Sequence, residues 1–227
     1  MKVSSKLYKK SLFSVWYAGC VVLASCVRIG SIVSTWSAVF SLSALLVPLG
    51  GAFGGSMTSW VVALVRMVCG AHAYGVSSLH HFAYWVPGLF ASLYWVHSSR
   101  LVRLLLPLTC MLLFVVHPVG GQAWPYSCYW LVPAVLFFIP KKTVGMHALA
   151  STFIAHAVGS VIWVYAKPMT PTFWYGLIPI VAVERLFFAV GMTVCYHVLA
   201  TVRDTISFCN VYVRTVSRSI SAEHSIF

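Results

Sequence analysis

The segment "IPIVAVERLFFAV", residues 178–190, places Glu184 and Arg185 side by side inside a long apolar run. The run extends from about residue 173 to residue 200, which is long enough for a helix that crosses a bilayer. A charge at membrane depth costs a few kcal/mol even on permissive insertion scales, so it normally faces a protein interior or an aqueous cavity and has a partner there. The segment therefore predicts a transmembrane helix that carries part of a polar site.

The composition of the whole chain agrees with this interpretation. Of 227 residues, 60% are hydrophobic and 8% are charged, and the mean hydropathy is strongly positive. Soluble domains of this length do not normally have such a composition. Apolar stretches separated by short loops extend from about Ser11 to Ala200, which leaves no room for a separate soluble domain. We predict an all-α protein whose membrane domain, residues 1–202, is a polytopic bundle of transmembrane helices.

Eight apolar segments can be distinguished, and two of the junctions between them are rich in glycine and proline. The junction "PLGGAFGGS", residues 48–56, predicts either a tight hairpin or half-helices that do not fully span, and "HPVGGQAWP", residues 117–125, raises the same question. We therefore expect six to eight spans. The segments are residues 11–27, 32–49, 55–70, 82–97, 101–118, 124–139, 145–166 and 173–200.

The positive charges predict the orientation of the chain. If the N-terminus is cytoplasmic, the outer loops hold only Arg28 and Lys167, an asymmetry that the positive-inside rule requires. Both termini are then cytoplasmic, and the polar, serine-rich tail, residues 203–227, is expected to be loosely ordered and to lie on anionic headgroups. Because the basic residues are scattered, nucleic acid is not an expected partner. The inner loops hold Lys2, Lys6, Lys9, Lys10, Arg100, Arg103, Lys141, Lys142, Arg203, Arg214 and Arg218.

Catalytic and metal-binding patterns are absent from the sequence. Only Glu184, Asp204 and Glu223 are acidic, and no HExxH, GxSxG or phosphate-binding loop occurs. The seven cysteines show no CxxC pair, and we interpret them as small residues of the core or the lipid-facing surface. "LASC", which ends at Cys26, is typical of a lipoprotein signal, but an uncleaved first span fits a chain with seven further apolar segments better. We therefore expect no enzyme activity, no metal and no cofactor.

Several side chains are candidates for a binding site. Adjacent residues on a helix point about 100° apart, so Glu184 and Arg185 are expected to meet groups on another helix or a ligand and not each other. The alternative is that they hold two helices together. In "MHALASTFIAHAVGSVIWVY", residues 146–165, helical spacing predicts one stripe of small and polar residues, which either binds a ligand or packs closely against a neighbouring helix. The stripe consists of Thr152, His156, Gly159, Ser160 and Trp163.

A third candidate cluster lies in "VVHPVGGQAWPYSCYW", residues 115–130. His117, Gln122, Trp124 and Tyr126 are expected at the outer mouth between two spans, where Trp and Tyr are also enriched for lipid reasons alone. Aromatic rings and an amide beside a flexible Gly-Gly pair are suited to holding a flat polar solute. We therefore expect either a vestibule or a set of interfacial anchors.

Three stretches together resemble the substrate-binding S components of energy-coupling-factor vitamin transporters, small bacterial membrane proteins of about six helices. "FSLSALLVPLGGAFGGSMTSWVVALVR", residues 40–66, is similar to the paired second and third helices of that family, and "LIPIVAVERLFFAVGMTVCYHVL", residues 177–199, to its closing helix. "YAGCVVLASC", residues 17–26, offers Ala18, Cys20 and Ala24 where the family docks its coupling protein.

The resemblance implies a transport protein of the bacterial inner membrane with no chemistry of its own. A small solute, a vitamin or a related compound, would enter over the aromatic mouth and bind near Glu184 and His156. It would leave when the protein reorients, with energy from separate ATPases and a membrane coupling protein as partners. Two other readings of the residues stay open: a b-type haem or quinone redox protein with His156 and His197 as axial ligands, and a non-catalytic membrane assembly subunit.

Overall fold

The structure is a computed structural model that describes residues 2–29 and 40–223, with side chains for residues 10–27, 41–78 and 80–205. This part of the chain is almost entirely helical, as predicted, apart from strands β1 (Arg28–Ile29) and β2 (Phe40–Ser41), which pair antiparallel with Arg28 opposite Ser41. The helices are α1 (Lys2–Ser25), α2 (Ser43–Tyr74), α3 (Leu79–Val96), a π-helical turn (Leu101–Leu105), α4 (Leu106–Val116), α5 (Pro118–Gln122), α6 (Trp124–Ser127), a 3-10 turn (Cys128–Trp130), α7 (Leu131–Phe137), α8 (Val144–Ala166) and α9 (Pro171–Glu223).

By length and composition alone, three helical stretches of the described residues are apolar enough to cross a membrane, and the first of them is divided at Gly55. They are Ser43–Tyr74, Val144–Ala166 and Pro171–Thr205, the last of which is the first part of α9. Shorter apolar helices lie at Lys10–Ser25 and Leu101–Val116. These lengths and compositions agree with the predicted integral membrane protein.

Helix α2 reverses its direction at Gly55. This glycine has φ 72° and ψ −163°, a backbone conformation that is open almost only to glycine. As a result, Nη1 of Arg66 donates a hydrogen bond to Oγ of Ser43 at 3.4 Å, whereas an unbroken helix would separate these residues by about 35 Å. The tight hairpin expected at residues 48–56 is therefore present. Its first arm, residues 43–54, is about 18 Å long and too short to cross a hydrocarbon core of about 30 Å.

Small residues and hydroxyl groups join the hairpin to its neighbours. Gly51 packs directly on α3, where a Cβ would overlap the carbonyl oxygen of Ser92. Buried hydroxyls pair Ser14 of α1 with Thr58 at 2.8 Å, and Ser59 with Ser92 at 2.8 Å. These contacts place α1, α2 and α3 side by side with closely approaching backbones.

The small residues of α1 face the protein interior. Ala18 is 3% exposed and Ala24 is 6% exposed, and Ala18 packs in one cluster with Val47 and Val62 of α2. In the structure α2 therefore covers the face that the resemblance assigns to docking of a coupling protein. Ala18 and Ala24 are therefore not free to dock a partner, whereas Cys20, the third small residue of that face, is half-buried.

The second glycine-rich junction also joins two returning segments. Leu136 of α7 packs in one cluster with Val102 and Leu106, so the chain comes back to its starting level after α5 and α6. The stretch expected as one apolar segment, residues 124–139, is divided into α6, a 3-10 turn and α7. Pro125 and Pro133 lie within this stretch and cannot donate backbone hydrogen bonds, which favours short helical pieces.

Helix α8 runs antiparallel to α3 and to α9, and these three helices complete the bundle around the hairpin. Oγ of Ser151 donates to the carbonyl of Ala91 at 2.9 Å, and Gly159 lies against Pro87, which fixes α8 on α3. On the other side of α8, Ala148 packs with Met192 of α9. Helices α2, α3, α8 and α9 therefore meet along the inside of the molecule.

Helix α9 continues past the expected end of the membrane domain. The tail from residue 203 was expected to be loosely ordered, whereas the structure has one helix to Glu223. No glycine or proline follows Gly191, so the sequence contains no residue that would end the helix earlier. Side chains after residue 205 lie outside the described residues.

The conformation of Gly55 gives a test of the hairpin. Gly55→Ala forces a Cβ into a region that costs of order 1–3 kcal/mol, so it should lower the free energy of unfolding by about that amount. Gly176→Ala is the matched control, since it adds a Cβ in a helix where nothing lies within 4 Å and should stabilise by up to about 1 kcal/mol. Denaturant unfolding in detergent measures both; equal stability of the two variants would contradict the reversal at Gly55.

Candidate functional site

A cavity of about 600 Å³ lies where α2, α3, α8 and α9 meet. Its volume is within the usual range for small-molecule sites, about 300–1,000 Å³. Most of the wall is apolar, and it includes the aromatic or long side chains of Trp163, Phe173, Trp174, Leu177, Phe188 and Met192. A few polar and charged groups are placed within this apolar surface, as in sites that bind and orient an organic molecule.

The stripe expected on α8 faces the cavity. Thr152, His156, Gly159, Ser160 and Trp163 all belong to its wall. The same stripe also serves helix packing, because Gly159 contacts Pro87 of α3. The packing alternative is therefore present at Gly159, and ligand binding by the other members of the stripe stays a prediction.

Glu184 and Arg185 line the cavity from α9. Their side chains are 22% and 11% exposed, so neither extends into bulk solvent. Nη2 of Arg185 donates to Oε2 of Glu184 at 3.4 Å, and the expectation that these neighbours would not pair is wrong, because the long arginine side chain bends back toward the carboxylate. The distance is at the long end for a hydrogen bond, and Nε of Arg185 has no hydrogen-bond partner among the described residues.

The charged pair lies deep in the bundle. Arg185 is about 21 Å along α9 from Pro171, and His156 is about 15 Å along α8 from Ala166, counted from the connection between the two helices. Both positions lie at least half the thickness of a hydrocarbon core, which is about 30 Å, from that connection. Charges at this depth are tolerated only with partners or water, and the cavity provides a place for both.

Tyr126 connects the short helix α6 to the polar stripe. Its side chain is 1% exposed, and its hydroxyl lies 2.9 Å from Nε2 of His156 and 3.2 Å from Oγ of Ser160. The ring packs edge-on against Trp174 of α9. Tyr126 therefore fixes the orientation of the histidine in the cavity wall, as a positioning residue that holds three elements together.

The other three residues expected at the aromatic mouth do not line the cavity. Nδ1 of His117 accepts the N–H of Val119 at 3.3 Å and so caps α5, and its ring packs on Tyr165. The side chain of Gln122 is exposed, and Trp124 is 53% exposed. The helices α5 and α6 are each about one turn long, so neighbouring residues point in different directions and only Tyr126 points into the cavity.

Arg66 is a member of the site that the sequence interpretation missed. From the second arm of α2 it lines the cavity, and its Nε and Nη2 donate to the carbonyl of Tyr84 at 3.3 and 2.9 Å. Its guanidinium also lies over the Tyr84 ring, 4.0 Å from the ring centre. The signal was present in the sequence, since Arg66 interrupts the apolar stretch "WVVALVRMV" as Arg185 interrupts its own.

The geometry does not bring together the histidines considered as haem ligands. His156 faces the cavity beside Tyr126, whereas His197 is exposed and lies about 18 Å beyond Arg185 along α9. Axial ligands need matching depth on facing helices. The described residues also contain no group of three or more His, Cys, Asp or Glu side chains that could hold a metal ion.

Comparison with family models, with curated proteins and with solved structures gave no match for this chain. The functional assignment depends on the geometry of the cavity and on the resemblance noted in three stretches of the sequence.

The hydroxyl of Tyr126 can be tested separately from any ligand. Tyr126→Phe removes both hydrogen bonds and leaves His156 and Ser160 buried without this partner, so we expect a loss of about 1–3 kcal/mol in the free energy of unfolding. Tyr165→Phe is the control: it also removes one hydroxyl bond, to the carbonyl of Leu113, but at an exposed side chain, and should cost less than about 0.5 kcal/mol. Equal unfolding curves for the two variants would contradict the positioning role.

Proposed function

We propose that this protein is a multi-pass membrane transport protein that binds a small solute in the central cavity and moves it across the membrane. One observation supports this most strongly: an acid and a base, Glu184 and Arg185, line a cavity of about 600 Å³ inside a bundle of apolar helices. Intramembrane charges are expensive and commonly mark a path for a solute or an ion. The cavity is also large enough for a vitamin-sized molecule.

The arrangement of groups fits binding better than catalysis. Among the described cavity residues, Glu184 is the single carboxylate, and its nearest recorded partner is Arg185 and not a hydroxyl or a histidine. The histidine of the site, His156, has Tyr126 at hydrogen-bond distance. A serine or cysteine hydrogen-bonded to a base, which many acyl-transfer and hydrolytic enzymes use, is not formed by these contacts.

The route and energy source belong to the same proposal. A solute would enter at the outer end of α8, near Trp163 and Lys167, and would be released when the protein changes to a state with lower affinity for it. The resemblance of residues 40–66 and 177–199 to S components suggests a bacterial inner membrane, a vitamin-like solute, and separate ATPases with a coupling protein. Since α2 covers Ala18 and Ala24, such a partner would bind a different surface from the one that the resemblance implies.

We also propose six to eight spans with both termini in the cytoplasm, on the basis of the charge asymmetry of the loops. The hydrogen bond between Ser56 and His97, 3.5 Å, places the tip of the α2 hairpin level with the end of α3, on the same side of the bundle.

A green fluorescent protein fused after Phe227 should fluoresce, and an alkaline phosphatase fused there should be inactive. Active phosphatase at this position would contradict the orientation.

The central test uses the charged pair and a small molecule that remains bound during gentle purification. Glu184→Gln and Arg185→Gln each remove one charge from the cavity wall, and hydrogen bonds to charged groups contribute about 1.5–3 kcal/mol. Each variant should therefore lower the amount of bound molecule, measured by native mass spectrometry, by about tenfold or more, and its uptake into cells likewise. The amount of folded protein in the membrane should fall less than twofold.

The chain offers a matched control on the same helix. Arg203 and Asp204 are also adjacent and form an ion pair, 2.9 Å long, but their side chains are 57% and 68% exposed and outside the cavity. Arg203→Gln and Asp204→Asn should leave bound solute and uptake unchanged. If Glu184→Gln and Arg185→Gln reduce folded protein as much as bound molecule, the pair holds helices together, as in an assembly subunit, and the transport proposal fails.

A further inference from the structure

The charges around the cavity do not balance. Arg66, Arg185 and Lys167 contribute positive charges to its wall, whereas Glu184 contributes the single negative charge among the described residues that line it. Glu184 is paired with Arg185. The excess positive charge is therefore on Arg66, inside the bundle, and on Lys167, which is exposed at the end of α8.

Among the residues that the structure describes, Arg66 has only neutral hydrogen-bond partners. Its hydrogen bonds go to the carbonyl of Tyr84 and the hydroxyl of Ser43, and its face covers the ring of Tyr84. Each of its two terminal nitrogens makes one of these bonds and carries a second N–H group. A guanidinium in low-dielectric surroundings without a negative partner is unfavourable, and an anion beside it would offset that cost.

The three cations line the cavity from three elements: Arg66 from α2, Lys167 from the end of α8 and Arg185 from α9. Lys167 lies over the ring of Trp163, 5.4 Å from its centre, and the same ring contacts His80 at the start of α3. Tyr84, which binds Arg66, is one helical turn further along α3. His156, at the level of Arg185, is about 10 Å along α8 from Trp163. The positive charges therefore lie at more than one depth, with Lys167 at the end of the cavity and Arg66 and Arg185 further inside.

We propose that the cavity selects an organic monoanion with an apolar body, of which an aromatic or alicyclic carboxylate is the simplest kind. The single unbalanced cation inside the bundle, Arg66, matches one negative charge, and an arginine binds a carboxylate with two parallel hydrogen bonds. The rings of Trp163, Phe173 and Trp174 provide surface for the apolar body. This inference deepens the proposed function, since it names the chemical class of the solute.

The test compares three probes that share a naphthyl body and carry head groups of different charge, on the full-length protein in nanodiscs. Naphthalene-2-acetate is the anion, naphthalene-2-acetamide is its neutral counterpart, and 2-(2-naphthyl)ethylammonium is the cation. Binding can be followed by quenching of tryptophan fluorescence, since Trp163 and Trp174 line the cavity. We expect the anion to bind at least tenfold more tightly than either of the others. Equal affinities, tighter binding of the cation, or no binding of any probe would overturn the proposal.

Variants of Arg66 connect the preference to the cavity. Arg66→Gln should lower the affinity for the anion at least tenfold and leave that for the amide unchanged, whereas Arg66→Lys keeps the charge without the paired N–H groups and should lower the anion affinity by less. Arg100→Gln is the control, because Arg100 is exposed and outside the cavity. If Arg66→Gln does not fold, Arg66→Lys is compared with the wild type by the three probes. A lysine lacks the paired N–H groups, so this variant should lower the affinity for the anion and leave the affinities for the other two probes unchanged. An anion affinity unaffected by both variants would overturn the proposal.

The outcomes separate this inference from the proposed function. If the protein prefers the anion but takes up no solute in liposomes, the proposed selectivity is supported and the proposed transport function is contradicted. If the protein transports a neutral or cationic solute and shows no preference for the anionic probe, the transport function is supported and the proposed selectivity is contradicted.

Discussion

Charged side chains in a hydrocarbon environment need compensation, and this constraint explains why the centre of the protein is arranged as it is. Arg66 is compensated by a carbonyl, a hydroxyl and an aromatic face, and Arg185 by the neighbouring Glu184. Each arrangement is partial: the Arg185 to Glu184 distance is 3.4 Å, and Arg66 has no acidic partner among the described residues. A cavity that could hold water or a ligand lies between them, and it is where the remaining electrostatic cost can be reduced.

The close packing of the helices makes this cavity possible. Gly51 lets α2 approach the backbone of Ser92, and Gly159 lets α8 approach Pro87, so the four helices contact each other at their small residues. The polar side chains of Thr152, His156 and Ser160 lie on the same helix face as Gly159 and line the cavity that remains between the helices. Packing and binding thus depend on different members of the same helix faces.

Much of this could be predicted from the sequence, for reasons that differ between residues. The face of α8 followed from helical periodicity in a long regular helix, and Glu184 and Arg185 followed from the cost of charge in an apolar run. His117, Gln122 and Trp124 were assigned to the site by proximity in sequence to Tyr126, but about one turn of helix gives no periodicity from which to choose the inward residue. The pairing of Glu184 with Arg185 depends on the rotamer of a long side chain, which spacing along the helix does not determine. Arg66 also interrupts an apolar stretch, as Arg185 does, but the sequence interpretation did not include it in the site.

The uninterrupted course of α9 has a mechanical consequence. The helix that carries Glu184 and Arg185 extends to Glu223, and neither glycine nor proline follows Gly191. A continuous α-helix resists twisting, so a torque applied near Thr205 would reach the charged pair through a stretch whose single glycine is Gly191.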